Sequence, residues 1–281
     1  MANLSLAAIS LGLRGAQAVS PALAGWWAER LFFTPPHRPL SASDRDVLGR
    51  ARAFTVRSDG HAIRAWHWGT GPMVFLVHGW GGAGGRFSSF VDPILGAGFS
   101  AVTYDGPGHG LTGRGMSSAP EMARALDAVI AEVGAPDAII AHSFGGVVTA
   151  LAMAKGLEPR RVALIAPAAF PLRFVDEFVR ALRLSERTGA ALRSRSERRI
   201  RFDWDQLNVL PVFAGARNPA LVVHDRQDET IPVAEGREIA ATWPGAELVL
   251  TEGLGHRGVL RDPSVVSRAV AFVTHRSSRN S

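Results

Sequence analysis

The stretch Ala141-His142-Ser143-Phe144-Gly145-Gly146 decides how the rest of the chain is read. It follows the run Asp137-Ala138-Ile139-Ile140 and opens a helix-like run from Val147 to Met153. A serine set between a strand and a helix, with Ala or Gly two residues away on each side, has the form of a nucleophile elbow. The turn forces the serine into a strained backbone conformation that only small neighbours accommodate, and the strain pushes the hydroxyl out above the sheet. The strict pattern is Gly-x-Ser-x-Gly, and here Ala141 replaces the first glycine. Taken alone, the string also fits a helix with a serine N-cap and glycines for close packing.

Three further stretches favour the elbow. In Met73-Val74-Phe75-Leu76-Val77-His78-Gly79-Trp80-Gly81-Gly82 a buried strand runs into a glycine-rich turn, where backbone N–H groups can approach a substrate closely. The N–H of Trp80 and that of Phe144, just after the serine, would form an oxyanion hole. These glycines match neither Gly-x-Gly-x-x-Gly nor a P-loop, which needs a Gly-Lys pair; the single lysine, Lys155, lies elsewhere. The second stretch, Ala220 to Pro232, is an apolar strand ending in a loop with Asp225, Asp228 and Glu229. The third runs from Leu248-Val249-Leu250 through Gly253-Leu254-Gly255-His256 to a final amphipathic helix beginning near Pro263. The order serine, acid, histidine is that of one class of serine-hydrolase triads and differs from the orders in other serine hydrolase folds.

From about residue 50 to the C-terminus the chain resembles the α/β-hydrolase superfamily. The resemblance rests on His78-Gly79, Tyr104-Asp105-Gly106-Pro107-Gly108-His109-Gly110, the elbow at Ser143, the Asp228 loop ending in Ile231-Pro232, and Gly255-His256, all in the family's order. It implies Asp228 as the triad acid, with Asp225, nearer the strand end, as the alternative. A serine hydroxyl needs an adjacent base to attack at neutral pH; His256 would take its proton and Asp228 would hold the imidazole tautomer. His142 is expected to point away from the nucleophile, His78 to brace its loop, His109 to belong to a structural turn near the pocket mouth, and His224 to pack at a strand end. No His pair has metal-ligand spacing and there is no cysteine, so neither a metal nor another cofactor is expected.

The chain's 281 residues, 47% hydrophobic and 20% charged, suffice for one globular α/β domain with an insertion. Strands are expected at Arg52–Arg57 and Ala62–Trp68, forming a hairpin around Asp59-Gly60, and then at Met73–Val77, Ser100–Tyr104, Asp137–Ala141, Arg161–Ala166, Ala220–His224 and Ala246–Leu250. Helical runs between them imply a mostly parallel, doubly wound sheet with helices on both faces. After the sixth strand, read as parallel, the alternation stops; residues 168 to about 214 read as a helical cap. Arg173 to Arg201 holds nine arginines against four acids, most of the chain's net charge of +6. That excess is read first as a solvated helix face, and second as a lid attracting anionic substrates or a membrane surface. Phe170, Phe174 and Phe178 are candidates to line an acyl pocket. No nucleic-acid fold motif accompanies the charge, so no nucleic-acid partner is expected.

Residues 1–49 form a lead-in, with residues 1–33 read as an amphipathic helix packed on the domain or lying on a membrane surface. Asn3 to Leu13 is too short to span a bilayer. A secretory signal is the lesser reading, because no Lys or Arg precedes the apolar run and Arg14 separates it from Ala16-Gln17-Ala18. A cytoplasmic location, peripheral to the membrane at most, is expected. The leading functional expectation is a hydrolase of small or medium acyl esters acting through an acyl-Ser143 intermediate. Thioesterase and C–C hydrolase variants, or a non-hydrolytic ligand-binding or signalling protein on the same fold, are the alternatives.

Overall fold

The computed structural model describes residues 6–275. The first described elements are three helices, α1 (Leu6–Val19), α2 (Pro21–Phe32) and α3 (Ala42–Gly49), followed by the strands β1 (Arg52–Ser58), β2 (His61–Trp68) and β3 (Met73–Val77). Then come α4 (Ser88–Gly96), β4 (Ser100–Tyr104), α5 (Ala119–Val133), β5 (Ala138–His142), α6 (Gly145–Ala154) and β6 (Arg161–Ile165). The helices α7 (Leu172–Ala181), α8 (Glu186–Ile200) and α9 (Leu210–Ala214) precede β7 (Ala220–Asp225), α10 (Val233–Thr242), β8 (Glu247–Thr251), α11 (Gly255–Gly258) and α12 (Pro263–Thr274).

The eight strands form one sheet in the order β1-β2-β4-β3-β5-β6-β7-β8. The β1–β2 and β2–β4 pairings are antiparallel, and all others are parallel. Asp59 and Gly60 close the hairpin with φ of +49° and +80°, the two left-handed residues that match the twist of tightly joined strands. The cap therefore follows β6, the sixth strand of the chain but only the fourth of its parallel series.

The apolar runs become strands buried on both faces. All five residues of β5 are buried, and they alternate: Ile139 and Ala141 join the core layer with α5 and α6, while Ala138 and Ile140 join the layer with α4 and α12. This two-sided burial fixes the strand ends from which the loops of the site project.

Above the sheet, a third cluster joins Leu13, Ala28 and Phe33 to Val175, Leu192, Ile200, Trp204 and Leu207. The N-terminal segment thus packs on the cap. It is two helices rather than the one expected, because Pro21 has no N–H with which to continue α1. Instead α2 restarts there, with the Ser20 hydroxyl accepting the Leu23 N–H at 3.3 Å. The outer faces of these helices leave Leu11, Val19, Leu23 and Trp26 exposed. The helical stretch after β6 also divides: Phe213 of α9 stacks on Trp243 at 4.5 Å within the sheet's core. The part of the N-terminal reading on residues 1–5 lies outside the described residues. Among the described residues no helix is long and apolar enough to cross a membrane.

Candidate active site

Ser143 occupies the turn between β5 and α6 with φ +57°, a conformation that costs a non-glycine residue energy and survives only where the surroundings over-determine it. Its N–H donates to the Ile165 carbonyl at 2.9 Å, and its carbonyl accepts the Gly146 N–H at 3.0 Å. The need for small neighbours is steric. A Cβ on Gly145 would lie 2.3 Å from the Val77 carbonyl oxygen, and one on Gly79 would lie 2.8 Å from the Ser143 Cβ. Ala141, in place of the usual glycine, sits inside β5 paired with Val77 and Leu164, and its methyl group is buried in the core.

His256 lies on α11, entered through Gly253 and Gly255 with φ +81° and +61°. Its Nε2 stands 3.0 Å from Ser143 Oγ, and its Nδ1 2.7 Å from Asp228 Oδ2. The carboxylate can only accept, so Nδ1 carries the proton and the Nε2 lone pair faces the serine hydroxyl. Asp228 is buried, which alone would raise its pKa. Hydrogen bonds from His224, His256 and the Ile231 N–H outweigh that and hold the carboxyl well below its ordinary range. The Thr230 and Ile231 N–H groups both bond Oδ1 at 2.8 Å. Of the two aspartates weighed, Asp228 is the one bonded to His256. Asp225 accepts from the Gln227 and Leu254 N–H groups and from the Thr251 hydroxyl, tying together the loops that carry Asp228 and His256.

Among the described residues neither the Trp80 nor the Phe144 N–H has an acceptor within the protein. Both belong to turns held from behind. His78, fully buried, donates from Nδ1 to the Gly79 carbonyl at 2.8 Å and accepts the Gly106 N–H on Nε2 at 2.9 Å. Burial pulls its pKa down to about 4, so the ring is a neutral brace. Asp105 accepts the Gly84 and Leu111 N–H groups at 2.7 and 2.6 Å, and burial raises its pKa to about 6 against those bonds. These bonds hold the Asp105–Gly110 turn against the turn after β3.

His142, expected to point away from the nucleophile, and His224, expected to pack at a strand end, both lie against the triad-like chain. His142 donates from Nε2 to the backbone carbonyl of His256 at 2.8 Å, and the two rings lie tilted against each other with centroids 4.8 Å apart. Burial, with His256 beside it, lowers its pKa to about 3. His224 sits behind Asp228, with Nε2 3.0 Å from the Ile231 carbonyl and 3.5 Å from Asp228 Oδ2. Gly236 makes room for it, since a Cβ there would lie 2.3 Å from His224 Nδ1. For His142 the signal is proximity in space, which no local spacing carries; for His224 it is the four-residue spacing to Asp228 in the loop that follows it.

The serine opens into a cavity of about 410 Å³. Its apolar wall includes Phe32 and Phe33 from the end of α2 and Phe174, Ile200, Trp204 and Leu207 from the cap. Of the three phenylalanines expected to line it, only Phe174 does so. Phe170 packs on the sheet's core, and Phe178 stacks edge-on against Phe32 at 5.4 Å, behind the wall. Four arginines that the sequence did not single out, Arg38, Arg86, Arg257 and Arg261, also line the cavity. No group of three His, Cys, Asp or Glu side chains among the described residues is placed to hold a metal ion.

Residues 74–269 match a family model described as an alpha/beta hydrolase family. No curated protein matches the chain by sequence. Among solved structures, the Rv0554 protein of Mycobacterium tuberculosis is 23% identical at a TM-score of 0.63, covering 80% of this chain and 100% of that one. A putative non-heme bromoperoxidase, BpoC, of the same organism is 23% identical at 0.60, covering 75% and 94%. The esterase RhEst1 from Rhodococcus sp. ECU1013 is 19% identical at 0.61, covering 81% and 100%. At these identities the likeness is one of fold.

Proposed function

The chain belongs to the alpha/beta hydrolase family, and we propose that within it the protein is a serine hydrolase that cleaves carboxylic esters through an acyl-enzyme. The observation that carries this reading is the hydrogen-bonded relay from Ser143 Oγ to His256 Nε2 and from His256 Nδ1 to Asp228. The esterases among the neighbours of like fold agree with it.

In this mechanism Ser143 gives its proton to His256 Nε2 as Oγ bonds the substrate's carbonyl carbon. The Trp80 and Phe144 N–H groups, with no competing acceptor, receive the oxyanion of the tetrahedral intermediate. The carbonyl then re-forms, the bond to the alcohol oxygen breaks, and His256 returns the proton to that oxygen. Water repeats the sequence on the acyl-Ser143 ester, giving the free acid and restoring the hydroxyl. Asp228 stays ionised throughout and stabilises the transient imidazolium. His142, holding the His256 carbonyl, and His78, spanning the two loops beneath Trp80, restrict motion of the groups that must meet.

The test is pre-steady-state. Mixing with p-nitrophenyl acetate should release a burst of p-nitrophenol equivalent to the enzyme, with an acetyl group found by mass spectrometry on Ser143. Ser143→Ala should show neither burst nor adduct. A normally folded wild-type protein giving no burst and no adduct would favour the non-hydrolytic alternative and end this reading.

A further inference from the structure

Besides Ser143, His256, two other histidines, Ser118 and Thr230, the wall of the cavity carries charge of one sign only. It carries four guanidinium groups, Arg38, Arg86, Arg257 and Arg261, and among its described residues no Asp or Glu. None of the four belongs to the arginine-rich cap; they come from the segment after α2, the turn after β3, and the stretch that follows His256. They are tied together. Arg86 donates to the backbone carbonyls of Arg38 and Pro39 at 3.3 and 2.8 Å. Arg86 and Arg261 share one buried carboxylate, Asp44, at 3.4 and 3.1 Å. Asp44 thus balances one of two charges and orients both side chains. No ion pair or hydrogen bond among the described residues engages the Arg38 or Arg257 guanidinium. The lining also holds aromatic rings that pack on one another: Phe32 meets Phe33 at 5.1 Å and Trp204 at 5.8 Å, both edge-on.

An apolar cluster and a basic cluster lining the cavity into which one serine opens describe a two-part ligand. We infer that the site takes an amphiphilic acyl compound whose acyl chain packs on the aromatic rings and whose other part carries an oxyanion, a phosphate or a carboxylate, received by Arg38, Arg86, Arg257 and Arg261. Planar guanidinium groups pair such oxyanions through two parallel hydrogen bonds, and unpaired ones give up no existing partner to do so. Turnover of such a compound rests on the serine-hydrolase reading; its binding does not.

Binding is therefore measured first, on the whole protein. Octyl phosphate, octanoate and octanol share an apolar chain and differ in charge. By titration calorimetry at least one of the two anions should bind roughly tenfold or more tightly than the alcohol, the better of the two showing which oxyanion the site prefers. Arg38→Gln and Arg257→Gln should each remove most of that advantage, as should high salt, which screens partly exposed charges. Arg193→Gln, an exposed cap arginine paired with Glu197, should leave the advantage intact, separating a local site from the chain's overall positive charge. Melting temperatures identify any variant that fails to fold, and the salt series on wild type stands without variants. Equal affinity for the three compounds, or an advantage untouched by both substitutions, would overturn the inference. Labelling of Ser143 by a small fluorophosphonate, run alongside, reports on the hydrolase reading separately: labelling without an anion advantage leaves that reading standing, and an anion advantage without labelling leaves the oxyanion site standing.

Discussion

Every residue of β5 beneath the cavity is buried, whereas α7 above it buries one residue of its ten, Val175. The floor is hung from parallel strands packed on both sides, and its loops are cross-tied by buried side chains: His78 between two turns, Asp225 between two others, His142 onto the backbone of His256. The roof is made of helices whose charged faces are in water and whose inner faces meet mainly each other, α1 and α2, with Phe174 reaching down to Phe144. Position has to be held to fractions of an ångström where protons move and far less tightly where a chain is merely enclosed. The two regions should therefore respond differently to damage, the floor through rate and the roof through stability and selectivity.

The sharpest break between them should come at Asp228. Asp228→Asn removes the acceptor that fixes the Nδ1–H tautomer of His256, and kcat should fall on the order of 10⁴-fold with the fold retained. Asp225→Asn loosens loop ties without touching His256 and should cost far less activity. Steady-state kinetics on both variants decide this, and equal losses would mean that the floor works as one brace rather than as a relay.

Acid should damage the floor next. His78 has a pKa near 4, and His109 and His142 near 3, all depressed by burial from 6.5. The unfolded chain therefore takes up these protons before the folded one does. Their contribution to stability is full above about pH 6.5 and is lost as pH falls toward 4 and 3, at about 1.4 kcal/mol per pH unit for each ring. Denaturant unfolding between pH 7 and 5 should show this slope, with protons taken up on unfolding. A flat profile would contradict the burial of these rings.

For the roof, Trp204→Ala removes a buried ring whose Nε1–H donates to Ser196 Oγ at 2.8 Å. It should cost about 3 kcal/mol, read as a lowered melting temperature, while a small fluorophosphonate still labels Ser143. The smallest effect separates two phenylalanines of α7. Phe174→Ala enlarges the cavity and should shift the preferred acyl length by a few carbons, whereas Phe178→Ala, behind the wall, should lower stability without moving the preference. Profiles over a series of p-nitrophenyl esters test the pair, and identical profiles would remove Phe174 from the acyl site.

What could be read from the sequence follows the same division. The floor is written locally: a strand, a small-residue turn and a helix occupy 17 consecutive residues around Ser143, so its motif and strand limits are visible within a residue or so. The roof depends on meetings between distant segments. Nothing near Phe32 announces that it faces Trp204, and Arg38 and Arg257 have no common motif. Phe170, Phe174 and Phe178 share a helical spacing, but α7 begins only at Leu172, and which of Phe174 and Phe178 reaches the cavity depends on how that helix is rolled. His142 falls between the cases: it lies in the floor beside Ser143, yet its partner lies 114 residues away, whereas His224 meets partners within the loop that follows it.

Glu29 of α2 and Arg195 of α8 pair at 2.6 Å across 166 residues of chain, and Gly25 lets the two helices touch where a Cβ would lie 2.8 Å from that of Ala191. During synthesis α1 and α2 leave the ribosome long before α8 exists. Their apolar inner stripe has no partner while the hairpin and the first parallel strands close over much shorter loops, at a smaller cost in chain entropy. The aromatic part of the cavity wall is then completed late, because α2 must wait for the much later helix that covers it.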